Sequence, residues 1–307
     1  MKNFLGIEIG GTKLQFVVGD EHARILQRWR FEVDAARGGA GIRAQIESAL
    51  PEILRTHEIA ATGVGYGGPV DWHTGRICCS HQVEGWADFP LRDWLRERTG
   101  KPLAVDNDAN LGALGEAQRG AGQESNPVFY VTLGSGVGGG LVVDGKIYHG
   151  AKPGESELGH VRLDRHGTIL EKRCSGWAVD ARIRAAIQKN PSSTLAHFAA
   201  GMERGEARAL ASALRENCQI AQTILAEWAD DLAFGLSHVT HLMHPEMIAL
   251  GGGLALVGEP LRAAAEAALH RFVMEAFAPG PRVGLAALRE DAVPIGALLL
   301  AARQIDR

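Results

Sequence analysis

The sequence predicts an α/β protein of two lobes closing on a cleft. Three observations carry this. Apolar strand-like runs alternate with helix-period segments through the first third of the chain. A second set of strand, glycine loop and helices follows. No polar linker separates the halves of the 307 residues. The lobes are expected at 1–116 and 117–292, with a last helix in 293–307 packing back on the first.

Residues 4–9 form an apolar run entering Gly10-Gly11-Thr12-Lys13, the pattern of a strand meeting a turn. Strands follow at 14–18 and 25–31, with Gly19-Asp20 as the hairpin signal between them. Ile42, Ile46, Leu50 and Leu54 recur every four residues and predict a helix over 42–56. A strand at 62–66 runs into Gly67-Gly68-Pro69, and a helix spans 91–99. A strand at 103–105 leads through Asp106-Asn107-Asp108 into a helix at 109–119. The second set opens with a strand at 128–133 and a glycine loop at 134–140. Segments 141–143 and 146–148 flank Asp144-Gly145, a strong two-residue hairpin signal. Residues 177–244 read as helical, broken at Asn190-Pro191 and near Gly201 to Gly205. A strand at 247–250 ends in Gly251-Gly252-Gly253, and a helix at 260–277, a strand at 283–287 and a helix at 294–304 complete the chain.

Composition narrows the function class. Hydrophobic residues at 46% and charged residues at 22% fit a globular enzyme. A net charge of −4 argues against a nucleic-acid partner held by charge. No run approaches the ~20 apolar residues of a membrane span, and Glu8 interrupts the N-terminal apolar run too early for a signal peptide. The four cysteines form no Cys-x-x-Cys pair and read as idle thiols in a reducing cytosol. A cytoplasmic protein is the expectation.

Glycine is the outlier, at 39 residues against a usual ~7%. Fourteen fall in four clusters, each following an apolar strand: Gly10-Gly11, Gly63 to Gly68, Gly134 to Gly140, and Gly251 to Gly253. Glycine lets backbone N–H groups approach a ligand and form anion nests. One cluster could be a bulge or a packing contact; four at strand ends suggest a phosphate-rich ligand. No Gly-x-x-x-x-Gly-Lys-Ser/Thr occurs, which excludes a P-loop. The Gly-x-Gly-x-x-Gly match at 134–139 runs into a hairpin rather than a helix, so a redox dinucleotide site is disfavoured.

The order of motifs carries a family resemblance. Gly6-Ile7-Glu8-Ile9-Gly10-Gly11-Thr12-Lys13 resembles the first phosphate motif of actin-like sugar kinases. Asp106-Asn107-Asp108-Ala109-Asn110 with Gly115-Glu116 resembles the catalytic segment of the ROK family (repressor, open reading frame, kinase). Thr132-Leu133-Gly134-Ser135-Gly136 and the glycines after it resemble its second phosphate motif, Gly154 to His160 its Glu-x-Gly-His sugar motif, and Ala249-Leu250-Gly251-Gly252-Gly253 its adenosine motif. The match covers nearly the whole chain.

The resemblance implies two RNase H-like lobes of the actin-like ATPase kind around an interlobe cleft. It implies an ATP- and Mg²⁺-dependent kinase acting on a small-molecule sugar, a hexose or hexose derivative, and working as a homodimer. The first phosphate motif begins at residue 6, so the kinase branch is expected rather than the repressor branch with its DNA-binding domain. Asp108, where a strand gives way to a helix, is the expected general base; a helix cap is the alternative for Asp106 or Asp108. Asn107, Gly68, Gln82, Glu157, His160 and Glu171 are expected at the sugar. Gly10, Gly11, Thr12, Lys13, Thr132, Gly134, Ser135 and Gly136 are expected along the phosphates, with Gly252 and Gly253 beneath the adenosine.

Departures from the family pattern matter. Most ROK proteins carry a cysteine-rich loop whose three thiolates join the motif histidine on a structural zinc. Here 161–171 has lost those cysteines and keeps only Glu171, with Cys174 alone beyond it, so no zinc is expected. Glu8 stands where an Asp usually contacts the Mg²⁺ water shell, and Gln82 where an Asn usually holds the sugar. These departures leave a second reading open, a catalytically inactive sugar-binding sensor. The donor, ATP or polyphosphate, is likewise open. Of Trp72, Trp86, Trp94 and Trp177, only Trp86 beside Gln82 is expected as a pocket wall. His238, His241 and His244 are expected on a helical face near a helix C-terminus, where the dipole favours His⁺.

Overall fold

The computed structural model describes residues 2–79, 83–154 and 156–305. Gln82 lies outside the described residues. β1 (Asn3–Ile9), β2 (Lys13–Gly19) and β3 (Ile25–Glu32) form an antiparallel meander. α1 (Gly38–Thr56) then leads to β4 (Ile59–Tyr66). After a small hairpin of β5 (Val70–Asp71) and β6 (Arg76–Ile77), α2 (Leu91–Thr99) leads to β7 (Leu103–Asn107), and α3 (Asp108–Arg119) starts at its end. β4 lies parallel to β1 and β7 parallel to β4, so the sheet order is β3-β2-β1-β4-β7.

The second sheet repeats that plan. It contains β8 (Val128–Leu133), β9 (Val137–Val143), β10 (Lys146–Ile147), β11 (Met247–Gly251) and β12 (Arg282–Leu285), in the order β10-β9-β8-β11-β12. Counted from its own first strand, each sheet has the order 3-2-1-4-5. Between β10 and β11 come α4 (Glu171–Cys174), α5 (Gly176–Lys189), α6 (Thr194–Ala199), α7 (Arg208–Arg215) and α8 (Gln219–Met243). α9 (Glu259–Leu269) precedes β12, and α10 (Ala292–Ala302) follows it.

β1 is central, and Phe4, Leu5, Ile7 and Ile9 are buried on both of its faces, as expected of a strand covered by helices on each side. Ile42, Ile46 and Ile53 of α1 with Leu91 and Leu95 of α2 pack on one face. Leu111 and Leu114 of α3 with Ala297, Leu298 and Ala301 of α10 pack on the other. α10 comes so close that a Cβ on Gly63 would lie 2.0 Å from the Ala297 carbonyl oxygen. Gly63 therefore serves packing rather than a ligand.

Several elements differ in extent from the sequence expectation. α1 starts at Gly38, four residues earlier, because Gly39 and Gly41 carry no apolar side chain to mark the period. β4 starts at Ile59, where Ala60 and Ala61 lack the β-branched signal. The glycine loop shortens to Gly134-Ser135-Gly136, since β9 begins at Val137. Gly139 and Gly140 are strand residues packed under Phe129 and against the Ala109 carbonyl. The helix expected over 260–277 ends at Leu269; i→i+3 bonds from Arg271 to Ala268 and from Phe272 to Leu269 close it. Asp144 and Gly145 both adopt positive φ, 49° and 68°, as a two-residue I′ hairpin turn requires.

The chain divides into two compact units. The first comprises Met1–Gln123, Gly140–Ser156 and Glu290–Arg307; the second comprises Glu124–Gly139 and Glu157–Arg289. The hairpin segment joins the first unit through side chains of α3: Asn110 Nδ2 donates to the Gly154 carbonyl at 3.3 Å, and Gln118 Nε2 to that of Gly145 at 2.9 Å.

Candidate active site

The turn from β7 into α3 sets the first cluster. Asn107 is the N-cap: its Oδ1 accepts the Ala109 N–H at 2.8 Å and the Asn110 N–H at 3.2 Å. Its Nδ2 donates one hydrogen to the Gly68 carbonyl at 3.2 Å, leaving the second for a ligand. Neither aspartate has to cap the helix. Asp108 Oδ1 accepts the Ala109 N–H at 2.8 Å, while Oδ2 faces Gly67, where a Cβ would lie 3.3 Å away. Burial, with the negative charge of Glu8, pushes the Asp108 carboxyl up to about 7. That places it where a general base works best near neutral pH.

The first glycine turn joins β1 to β2. The Gly10 N–H donates to the Lys13 carbonyl at 2.9 Å. Thr12 is exposed, and Gly11 and Lys13 are half-buried. Glu8 Oε1 pairs with Lys13 Nζ at 3.0 Å, and Oε2 accepts a short hydrogen bond from Gln15 Nε2. A Cβ on Gly67 would stand 3.6 Å from Gly10 Cα, so Gly67 keeps open the space between this turn and Asp108. Gly68 follows, its N–H donating to the Tyr66 carbonyl. Trp86 is fully buried against Tyr66 and Phe89 and lines only a narrow crevice beside Gly10 and Gly67.

In the second unit, Gly134 N–H donates to the Gly136 carbonyl at 2.9 Å, closing a tight turn with Ser135 exposed at its tip. Glu171, at the start of α4, supports that turn: its Oε2 accepts the Val137 N–H at 2.9 Å and fills the space beneath Gly136. Thr132, at the end of β8, pairs in register with Gly251. Gly252 sits at φ +81°, with its Cα pressed on Leu133; a Cβ there would lie 2.5 Å from the Leu133 carbonyl oxygen. Gly253 has open space instead. Glu157 immediately precedes a single 3₁₀ turn, Leu158–His160, without a side-chain hydrogen bond to it, and both Glu157 and His160 are exposed.

Among the described residues no group of three or more His, Cys, Asp and Glu side chains could hold a metal ion. Cys174 is fully buried, its Sγ turned to the Trp228 carbonyl, and burial raises its thiol pKa far above the usual range. His241 Nε2 accepts the Met274 N–H, and His244 stacks on Phe277 with centroids 3.8 Å apart, so both serve the C-terminal end of α8.

Two features of the site carry no signal in the sequence. His149 Nε2 lies 2.7 Å from Asp106 Oδ2, directly behind the Asp108 turn; a lone histidine in a loop gave no signal. A cavity of about 540 Å³ opens in the second unit beside Gly134, Ser135 and Gly253, walled by Trp177 and Arg204. Trp177 carries an exposed indole, whereas Trp86, the tryptophan expected as a pocket wall, is fully buried.

Comparison with known proteins supplies the lineage. The ROK family model matches residues 4–304. A glucokinase of Halalkalibacterium halodurans is 30% identical, over 95% of this chain and 93% of that protein. A glucokinase of Thermotoga maritima is also 30% identical, over 95% of each chain. The crystal structure of a ROK family glucokinase from Streptomyces griseus, in complex with glucose and AMPPNP, superposes with a TM-score of 0.86 at 28% identity, covering 98% of this chain and 99% of that one. The two-sheet α/β architecture is thus that of the ROK glucokinases, and the chain belongs to the ROK family.

Proposed function

We propose that this protein is an ATP-dependent sugar kinase that phosphorylates a hydroxyl of a hexose or hexose derivative, with Asp108 as general base. The observation that carries this reading is the Asp108 carboxyl: its pKa is raised to about 7, and Oδ2 faces a space kept open by Gly67. Asp108 Oδ2 takes the proton of the sugar hydroxyl as its oxygen bonds to the γ-phosphorus; the bond from that phosphorus to the bridging oxygen breaks, and ADP leaves. Asn107 offers its free amide hydrogen to the sugar beside the Gly68 carbonyl. Glu157 and His160 are an exposed acceptor and donor suited to ring hydroxyls. Gln82 belongs to the sugar set through the family motif alone.

The tight Gly10 to Lys13 turn, with the Lys13 cation, and the Glu171-braced Gly134 to Gly136 turn are the two glycine turns this reading assigns to the phosphates. Glu8 is the carboxylate that would hold Mg²⁺, through the water shell that this ion keeps. Bound magnesium would supply charge neutralisation along the phosphates. A cytoplasmic homodimer is the assembly this reading carries, by family analogy.

One observation favours a second reading. Both Glu8 oxygens are already engaged by Lys13 and Gln15, which suits a sugar-binding sensor that has lost phosphoryl transfer. A coupled assay over a hexose panel, run with ATP and with polyphosphate, decides between them. ADP production with one or more hexoses supports the kinase; sugar-induced stabilisation without phosphoryl transfer across the panel supports the sensor.

A further inference from the structure

The segment between the 3₁₀ turn Leu158–His160 and α4 is where the zinc loop of related chains would lie. The side chains here do not suit a tetrahedral zinc. Among the described residues no group of three or more His, Cys, Asp and Glu side chains could hold a metal ion. Cys174 is turned inward, with its Sγ against the Trp228 carbonyl. Hydrogen bonds and packing shape the segment instead. It folds as a short hairpin. Arg162 and Ile169 form an antiparallel bridge, the Leu163 N–H donates to the Thr168 carbonyl at 2.9 Å, and the Leu170 N–H to the Val161 carbonyl at 2.9 Å. Asp164 closes the tip: its Oδ1 accepts the His166 N–H at 2.6 Å and the Thr168 N–H at 3.2 Å. Hydrogen bonds from the Thr168 hydroxyl and then its N–H hold the exposed Asp164 carboxyl below the usual carboxylate range.

The hairpin ends on a plug. Leu170 is fully buried, and a Cβ on Gly235 of α8 would lie 2.8 Å from its Cδ2, so the bare backbone at Gly235 is its socket. The Leu170 carbonyl accepts the Arg173 and Cys174 N–H groups at 3.0 and 2.8 Å, which starts α4. Arg173 Nε then pairs with Asp231 Oδ2 at 2.9 Å. Asp231 and Gly235 are one turn apart on α8, so plug and ion pair fasten α4 to a single helix face. What they fasten is Glu171. Its Oε2 accepts the Val137 N–H at 2.9 Å. A Cβ on Gly159, the middle residue of the His160 turn, would stand 3.4 Å from Glu171 Cβ and 2.4 Å from the Val137 carbonyl oxygen. Glu171 is thus packed between the turn that bears His160 and the strand that follows the Gly134 to Gly136 turn.

We propose that Leu170, seated on Gly235 and presented by the Asp164 hairpin, is a positioning residue: it acts as a metal-free clip that holds Glu171 and His160 in place for the sugar. The inference rests on the sugar-binding part of the reading above and adds what positions those two residues. A branched side chain in a close-packed socket keeps one rotamer. The Val161 carbonyl on one side of Leu170 and the start of α4 on the other pass that placement to His160 and Glu171. A metal clip in this place would need deprotonated ligands and would yield to a chelator; a hydrophobic one has nothing for a chelator to take.

The test uses the full chain, with D-glucose as the sugar probe. Atomic emission on the purified protein should find zinc well below stoichiometric, and EDTA should leave the melting temperature and the glucose affinity unmoved. Leu170→Ala should weaken glucose binding in calorimetry by about tenfold or more. Leu170→Met, which keeps the volume, should restore it to near the wild-type value. Asp164→Ala should weaken glucose binding in the same direction, and Asp164→Asn, which keeps the acceptor oxygen, should not. Asp164 is exposed, so its variants fold even if Leu170→Ala does not. A merely structural Leu170 would lower the melting temperature and leave the glucose affinity of the folded protein unchanged. Stoichiometric zinc, with stability lost in EDTA, overturns the metal-free clip. Wild-type glucose affinity in Asp164→Ala, and in Leu170→Ala where it folds, overturns the positioning role. A wild type that binds neither glucose nor any other hexose overturns the sugar reading, and the zinc content and EDTA melts still decide the clip.

Discussion

His149 Nε2 lies 2.7 Å from Asp106 Oδ2, and this contact ties the loop after β10 to the turn that carries Asp108. Asp106 is buried, and its other oxygen accepts the Asn107 N–H at 2.8 Å and Asn110 Nδ2 at 2.9 Å. The imidazole is itself stacked on Trp72, with centroids 4.1 Å apart. His149→Ala leaves a buried carboxylate oxygen without its partner, which costs roughly 1–3 kcal/mol. Urea unfolding should register that loss. The kcat should fall more than the KM for sugar rises, because the disturbed turn is the one that aims Asp108.

Asp108→Asn tests the base directly. The amide keeps the shape and can still accept the Ala109 N–H, but it takes no proton. Turnover should fall by about 10²–10⁴-fold, while calorimetry still detects sugar binding. Unchanged turnover would remove Asp108 from the role.

The raised Asp108 pKa gives two pH signatures of opposite sense. The base must be ionised, so kcat/KM should fall below a midpoint near the value of about 7. Glu8→Gln removes a like charge and should move that midpoint downward. Stability runs the other way. A carboxyl whose folded pKa lies above its unfolded value of about 3.9 stabilises the fold fully below that value. The contribution is lost as pH rises through 7. Asp108→Asn does not titrate, so its stability relative to wild type should improve from pH 4 to 7 and level off above. A flat difference across that range would place the Asp108 pKa near its ordinary value.

The sequence made the fold legible because each sheet is announced by an apolar strand entering a glycine turn, and the order of those turns is distinctive. Asp108 was legible for the same reason: a strand end followed by Asp-Asn-Asp and a helix. Trp177 and Arg204, which wall the cavity of the second unit, were not. Their meeting depends on the Gly205 turn folding back on Asp180 of α5, a contact between segments some 25 residues apart with no periodic pattern to betray it. His149 was hidden likewise, since Asp106 is 43 positions away. The glycine clusters misled in one respect. Gly63, Gly139 and Gly140 belong to packing, and sequence alone does not separate a glycine that faces a ligand from one that lets a helix approach.

That separation can be measured within one cluster. A Cβ on Gly63 meets backbone, the Ala297 carbonyl oxygen at 2.0 Å, and neither β4 nor α10 can yield without moving the core between them. Gly63→Ala should therefore lower stability, by roughly 1–3 kcal/mol or more, in urea or thermal unfolding. A Cβ on Gly67 meets a side-chain oxygen, Asp108 Oδ2 at 3.3 Å, with the nearest backbone at 3.5 Å. Gly67→Ala should leave the unfolding midpoint near that of wild type. Its damage should fall on kcat, because the methyl group enters the space that a sugar hydroxyl needs in front of Asp108. Equal stability losses in the two variants would show that Gly67, too, is a packing glycine.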